Sequence, residues 1–152
     1  SLVGSTIILW YADYAIGSTV AVGTDGWIDY TNSKFGAGAL DPNKIVSFET
    51  SDNFNVNAGT IEMWIKPSDW TDGAYQGLFG MYVQSSELIR IQKTPLNQLQ
   101  ALMFGSGKGW KISADQVNLN DNTWYHVAWT WDINAHKSHL YLNGQCLTIK
   151  ME

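Results

Sequence analysis

The stretch that most constrains the fold is NTWYHVAWTWD, Asn122–Asp132, which holds three of the eight tryptophans of the chain. In an extended strand, successive side chains point to opposite faces. One face then carries Tyr125, Val127, Trp129 and Trp131, and the other carries Trp124, His126, Ala128 and Thr130. Because the first set is large and apolar, the pattern predicts a strand whose tryptophans fill a thick core between two sheets.

Further strands are predicted along most of the chain, because helical patterning is poor and turn residues are frequent. The predicted strands are Ser5–Tyr11, Ser18–Gly23, Asn43–Glu49, Gly59–Pro67, QGLFGMYVQ, ELIRIQK, LQALMFG and WKISA. On Gly59–Pro67 we expect Ile61, Met63 and Ile65 on one face and Glu62, Trp64 and Lys66 on the other. Short strands at this spacing predict an antiparallel sandwich or barrel.

A hairpin is predicted after the tryptophan-rich strand. The segment HLYLNG, His139–Gly144, places Leu140 and Leu142 inward and His139 and Tyr141 outward. Asn-Gly tolerates positive φ and suits a tight turn, so we expect Gln145–Lys150 to be the return strand.

Composition limits the function classes. A chain of 152 residues fits one domain, 1–152. Only 15% of residues are charged, the net charge is −5, and nine basic residues are scattered, so neither nucleic acid nor membrane insertion is expected. The single cysteine, Cys146, cannot form an internal disulfide.

Three stretches together resemble a known family. They are KFGAGAL (Lys34–Leu40) followed by VSFE, then GTIEMWIKP, then WYHVAWTWD with HLYLNG. In this order they resemble laminin G-like domains of the concanavalin A-like lectin/glucanase superfamily. The resemblance implies an all-β fold, an antiparallel jelly-roll β-sandwich of two curved sheets. It also implies an extracellular, cell-surface or virion location.

Domains of that family continue past the hairpin to a closing strand, whereas this chain stops at Glu152. Three explanations stay open: N-terminal strands cover the sheet edge, the chain is a fragment, or a neighbouring chain supplies the strand. Open edges favour pairing with other chains.

Catalysis and metal binding are not expected. Retaining glycosidases need two carboxylates about 5 Å apart, and the E-x-D-x-x-E pattern of one family branch is missing, so Glu49 and Glu62 are interpreted as solvated strand residues. His126, His136 and His139 form no metal motif. Calcium is the alternative for SDNFN (Ser51–Asn55) and NLNDN (Asn118–Asn122), but Asp and Asn are ordinary turn residues, so no cofactor is predicted.

Aromatic residues carry the remaining functional signal, because sugar rings stack on exposed indole and phenol rings. The predicted carbohydrate-binding residues are Trp70, Tyr75 and Trp110 on loops, and Glu62, Trp64 and Tyr141 on a sheet face. A large indole gains by burial, so Trp70 has a competing core interpretation. The preferred function is non-catalytic glycan recognition. The alternatives are a structural or adhesive module in a surface or virion assembly and, less favoured, a glycoside hydrolase.

Overall fold

The computed structural model describes residues 28–29, 31, 34, 39–40, 55, 57–84, 87–105, 108–147 and 149–151. Every regular element in these residues is a β-strand. The strands are β1 (Ile28–Asp29), β2 (Ala39–Leu40), β3 (Ala58–Ile65), β4 (Gln76–Gln84), β5 (Glu87–Lys93), β6 (Gln98–Gly105), β7 (Lys108–Gln116), β8 (Tyr125–Asp132), β9 (Lys137–Leu142), β10 (Gln145–Cys146) and β11 (Ile149–Met151).

The strands form a four-stranded sheet in the order β10-β9-β8-β3, a five-stranded sheet in the order β11-β7-β6-β5-β4, and a short β1-β2 ladder. This is the predicted antiparallel β-sandwich. The described residues fall into two compact units: the first holds those up to Trp64 with Thr130–Lys137, and the second holds Ile65–Trp129 with those from Ser138 onward. A single domain over 1–152 stays a prediction.

The tryptophan-rich strand β8 has the predicted alternation. Val127, Trp129 and Trp131 are 0%, 1% and 3% exposed, which places them in the core. Tyr125 is half-buried, and its hydroxyl accepts a hydrogen bond from the Asn120 N–H at 2.9 Å. Ala128, on the opposite face, is also buried, because a methyl group is easily covered by longer neighbours.

Each unit accommodates one of these buried indoles through a specific neighbour. In the first unit, a Cβ placed on Gly59 would lie 2.6 Å from Cζ2 of Trp131, so only glycine leaves room for the ring. In the second unit, Trp129 Nε1 donates a 2.8 Å hydrogen bond to Ser138 Oγ, which satisfies a buried donor.

The five-stranded sheet has one apolar face. Its centre is the row Ile91–Ala101–Ile112 across β5, β6 and β7, with exposures of 0%, 1% and 1%. On neighbouring rows, Ile89 and Leu99 are equally buried. Alternation therefore directs the residues between these positions, including Gln92 and Gln100, to the other face.

Strand boundaries agree closely with the sequence for β4 and β5 but not after the last hairpin. The Asn143-Gly144 turn is confirmed, with φ of 49° and 79°. The predicted return strand Gln145–Lys150 is wrong as one element: β10 ends at Cys146, and β11 then pairs with β7 in the other sheet. The chain thus passes from one sheet to the other within a few residues.

Several predictions lie outside the described residues. These are the strands Ser5–Tyr11, Ser18–Gly23 and Asn43–Glu49, with Glu49 and most of KFGAGAL and SDNFN.

Candidate functional site

The loop between β3 and β4 is fixed to the sandwich by Trp70. This residue is 1% exposed, and its Nε1 donates to the Val117 carbonyl at 2.7 Å. Its backbone N–H donates to Asp121 Oδ1 at 2.8 Å, and the Asn122 N–H donates to the Pro67 carbonyl. The competing core interpretation therefore holds for Trp70, and its ring offers no face for a sugar.

A buried lysine organises the end of the same loop. Lys93 is fully buried, and its ammonium pairs with Asp72 and donates to the Ala74 carbonyl at 2.9 Å. The Ala74 N–H and Gln76 Nε2 also donate to Asp72, at 2.9 and 2.8 Å. These bonds, with that from Lys93 the strongest, lower the pKa of Asp72 to about 2.

Tyr75 is presented by this framework. It is 66% exposed and directly precedes β4. The side chains of Gln76 and Lys93, which pair across β4 and β5, both reach Asp72. Tyr75 lies one residue before β4, and extending the alternation of the strand by that residue predicts its ring on the opposite side, together with Gly77. A loop aromatic predicted from the sequence is therefore exposed at one end of the five-stranded sheet.

The face on that side is polar, and we call it the polar face. Its residues are Gly77 and Gly80 on β4, Arg90 and Gln92 on β5, Gln100, Leu102 and Phe104 on β6, and Lys111 and Ser113 on β7. The register aligns eight of them in two rows, Gly77–Gln92–Gln100–Ser113 and Gly80–Arg90–Leu102–Lys111, and places Phe104 two residues beyond Leu102.

The first row contains a chain of hydrogen bonds. Gln92 Nε2 donates to Gln100 Oε1 at 2.6 Å, and Gln100 Nε2 donates to Ser113 Oγ at 2.9 Å. Arg90 Nη1 lies 3.4 Å from Gln92 Oε1, at the long limit for such a bond. The side chains of Gln92, Gln100 and Ser113 are only 4–7% exposed, so they form a rigid polar layer, which we call the floor.

Groups that a ligand can reach surround this floor. Phe104 is 40% exposed at the far end of β6, and Arg90 and Lys111 are half-buried. Gly77 and Gly80 are exposed, and a Cβ on either would meet nothing within 4 Å. The groups that a ligand can reach on the polar face are therefore aromatic and cationic side chains and the exposed backbone at Gly77 and Gly80, around a buried amide floor.

Trp110 is placed differently from the prediction. It lies within β7 rather than on a loop, and it is half-buried opposite Met103 of β6. It shares the parity of Ile112 and Ala114, so it extends the apolar face and does not belong to the polar face.

Glu62 and Trp64 belong to β3, in the first unit. The predicted phase is confirmed, because Ile61 and Met63 are 2% and 3% exposed while Glu62 and Trp64 are half-buried. Lys34 Nζ lies 4.7 Å from the Trp64 ring centroid, a cation–π contact that covers one face of the indole.

Tyr141 lies on β9, in the second unit, and is half-buried as an outward residue. Its ring centroid is 6.2 Å from that of His139, at a tilt of 40°. Leu140 is fully buried, as predicted, whereas Leu142 is half-buried. On β8, the His126 N–H donates to Asn143 Oδ1, so the turn asparagine also supports the strand pair.

The asparagine-rich segment 118–122 serves the fold. Asp121 accepts from Trp70, and the Asn120 N–H donates to the Tyr125 hydroxyl. Within the described residues, no group of three His, Cys, Asp or Glu side chains could hold a metal ion. No helix in that part of the chain has the length and hydropathy of a membrane span.

Comparison with known proteins identifies the family. A laminin G-like family model, described as the concanavalin A-like lectin/glucanases superfamily, matches residues 40–147. The chain belongs to this superfamily. No curated protein and no solved structure shows significant similarity to it.

Sequence reasoning missed the polar face of this laminin G-like chain. The signal was present in part, since ELIRIQK alternates Arg90 and Gln92 against Ile89 and Ile91. That pattern shows which residues share a face within a strand. It does not show that β5, β6 and β7 are neighbours, and only this adjacency aligns Gln92 with Gln100 and Ser113.

Proposed function

We propose that this chain recognises a glycan, without catalysis, on the polar face of the five-stranded sheet. The observation that supports it most strongly is the pair of exposed aromatics, Tyr75 and Phe104, at opposite ends of a hydrogen-bonded amide floor. A sugar ring offers an apolar C–H face for stacking and hydroxyls for polar contacts, and this surface supplies partners for both.

The dimensions suit an extended oligosaccharide. Tyr75 lies just beyond the Gln76–Lys93 pair at one end of β5, and Phe104 pairs with Leu88 near the other end. Measured along β5, the two aromatics are about six residues apart, or about 20 Å. Three strand spacings separate β4 from β7, or about 14 Å. Because the floor is bonded internally, little ordering is required on binding, which favours affinity.

The non-catalytic part of the proposal is supported by the side chains of the polar face. Glycosidases usually use two carboxylates that flank the scissile bond. The residues named above for this face supply amide, hydroxyl, cationic and apolar groups, and alternation along β7 adds one exposed carboxylate, that of Asp115, two positions beyond Ser113. Among the described residues of the face, this is a single carboxylate where such a glycosidase needs two. An extracellular, cell-surface or virion setting fits such a role and remains a prediction.

The test is binding of the intact chain to immobilised glucans, xylan, chitin oligomers and uronic-acid polymers, followed by isothermal titration with soluble oligomers. Tyr75→Ala and Phe104→Ala should each weaken binding about tenfold or more, the loss of about 1.4 kcal/mol. Matched variants, Trp64→Ala on β3 and Tyr141→Ala on β9, should bind within about twofold of wild type, because both strands belong to the four-stranded sheet.

The comparison separates the possibilities. A reversed pattern, with loss only in the Trp64 and Tyr141 variants, would move recognition to the four-stranded sheet. Absence of binding to every polymer, together with stable self-association by light scattering, would favour the structural or adhesive alternative. Release of reducing sugar that Glu62→Gln abolishes would indicate a hydrolase.

A further inference from the structure

Strand β4, which ends the five-stranded sheet among the described residues, carries Gly80, which the local fold does not require, and Gly77, which directly precedes a β-bulge. Neither Gly77 nor Gly80 has a φ in the left-handed region, so any residue could adopt the backbone conformation. A Cβ on either would touch nothing within 4 Å, so no close packing demands glycine. A β-bulge follows Gly77, but Gly80 pairs regularly with Arg90 between Phe79–Ile91 and Met81–Ile89.

Glycine in a strand also has a cost, because it supplies no side chain to pack and adds entropy to the unfolded chain. A strand glycine that neither its φ angle nor close packing requires often marks a place where a ligand approaches the backbone. Here both glycines lie on the polar face, opposite Gln92 and Arg90. Each glycine is about 5 Å from the residue paired with it on β5, because adjacent strands are about 4.8 Å apart.

This inference rests on the proposed function. We propose that Gly77 and Gly80 form the base of a subsite for one pyranose ring of the glycan. Tyr75, two residues before Gly77, stacks on the apolar face of the ring. The Arg90 guanidinium, opposite Gly80, donates hydrogen bonds to its oxygens. A side chain at either glycine would occupy the space of the ring.

The backbone on both sides of Tyr75 is held before any sugar arrives. Both of its chain neighbours are anchored to Asp72: the Ala74 N–H at 2.9 Å and Gln76 Nε2 at 2.8 Å. Ala74 also accepts from the buried Lys93 ammonium. Because this backbone is already held, stacking costs only the side-chain rotations of Tyr75, which is the benefit of preorganisation.

The experiment fills the subsite. Gly77→Leu and Gly80→Leu are titrated with the polymer that wild type binds most tightly in the panel above. Each should lose about tenfold or more in affinity, and Gly80→Ala should lose less. The control is Gln145→Leu, an exposed β10 position away from the polar face, which should bind as wild type does. Melting temperature reports whether each variant is folded.

A second measurement uses the unmodified chain. The amide resonances of Gly77 and Gly80 should shift on titration with the same glycan, while that of Gly144 stays in place. Wild-type affinity in folded leucine variants, or unshifted Gly77 and Gly80 amides, would overturn the subsite and leave glycan recognition intact. If wild type binds none of the polymers, glycan recognition itself is overturned, and the subsite with it.

Discussion

At the scale of the residue, the tightest constraint is at Gly59. A Cβ there would lie 2.6 and 2.8 Å from Cζ2 and Cη2 of Trp131, distances that real Cβ contacts do not show. Trp131 is 3% exposed, so its ring has little room to retreat. The sequence placed Gly59 at the start of a strand, but it could not show that an indole about 70 positions later lies against it.

We therefore expect Gly59→Ala to destabilise the chain by about 1–3 kcal/mol, the usual cost of overpacking a core. Urea denaturation monitored by tryptophan fluorescence measures this directly. Gly80→Ala is the matched control, because its methyl group enters open space and should not lower the free energy of unfolding. Equal stability of both variants would contradict the tight packing at Gly59.

At the scale of the element, the loop before β4 is stabilised by two different anchors. Trp70 inserts its ring and bonds to Val117 and Asp121, 47 and 51 positions away. Asp72 pairs with Lys93 on β5. In the sequence, Trp70 lies in a polar loop, and local patterning does not decide whether its ring is buried or exposed. Distant partners decide that. Local patterning predicted the bounds of β4 and β5 well, because alternation is a property of a single strand. It carries no information about contacts between distant parts of the chain.

The Asp72–Lys93 pair should respond asymmetrically to truncation at neutral pH. Lys93 is fully buried, whereas the Asp72 side chain is a quarter exposed. Asp72→Ala leaves a buried ammonium without its counter-charge, while Lys93→Met leaves a carboxylate that water can solvate. We expect Asp72→Ala to lower the urea midpoint more than Lys93→Met. Asp69→Ala, an exposed residue of the same loop, is the control; the reverse order would show that the lysine is not held by its charge.

At the scale of the whole molecule, acid stability follows from the same carboxylate. Bonds from Lys93, Ala74 and Gln76 lower the pKa of Asp72 from 3.8 to about 2 in the folded chain. The unfolded chain therefore takes up this proton first, and the contribution to folding is complete above about pH 4 and lost as pH falls toward 2. Between these values, the urea midpoint should fall less steeply in Asp72→Asn than in wild type. Parallel profiles would show that Asp72 is not the group responsible.

The sequence predicted the sandwich but not how its strands end. QCLTIK contains no Gly, Pro or Asn, so period-two patterning continues through it and predicts one return strand. The chain nevertheless leaves β9 after Cys146 and joins β7 as β11. Departure from one sheet toward another depends on which edge has unpaired backbone groups, and that is a property of the assembled fold.

The route through β11 has a practical meaning for any segment attached beyond Glu152. The last paired residue, Met151, lies beside Ile112, and Lys150 pairs with Ser113 at the rim of the polar face. A fluorescent label, affinity handle or second module joined directly after Met151 would begin beside β7, a strand of the polar face on which a sugar polymer is proposed to lie. Binding assays with such fusions would report steric crowding, and a cleavable handle avoids that artefact.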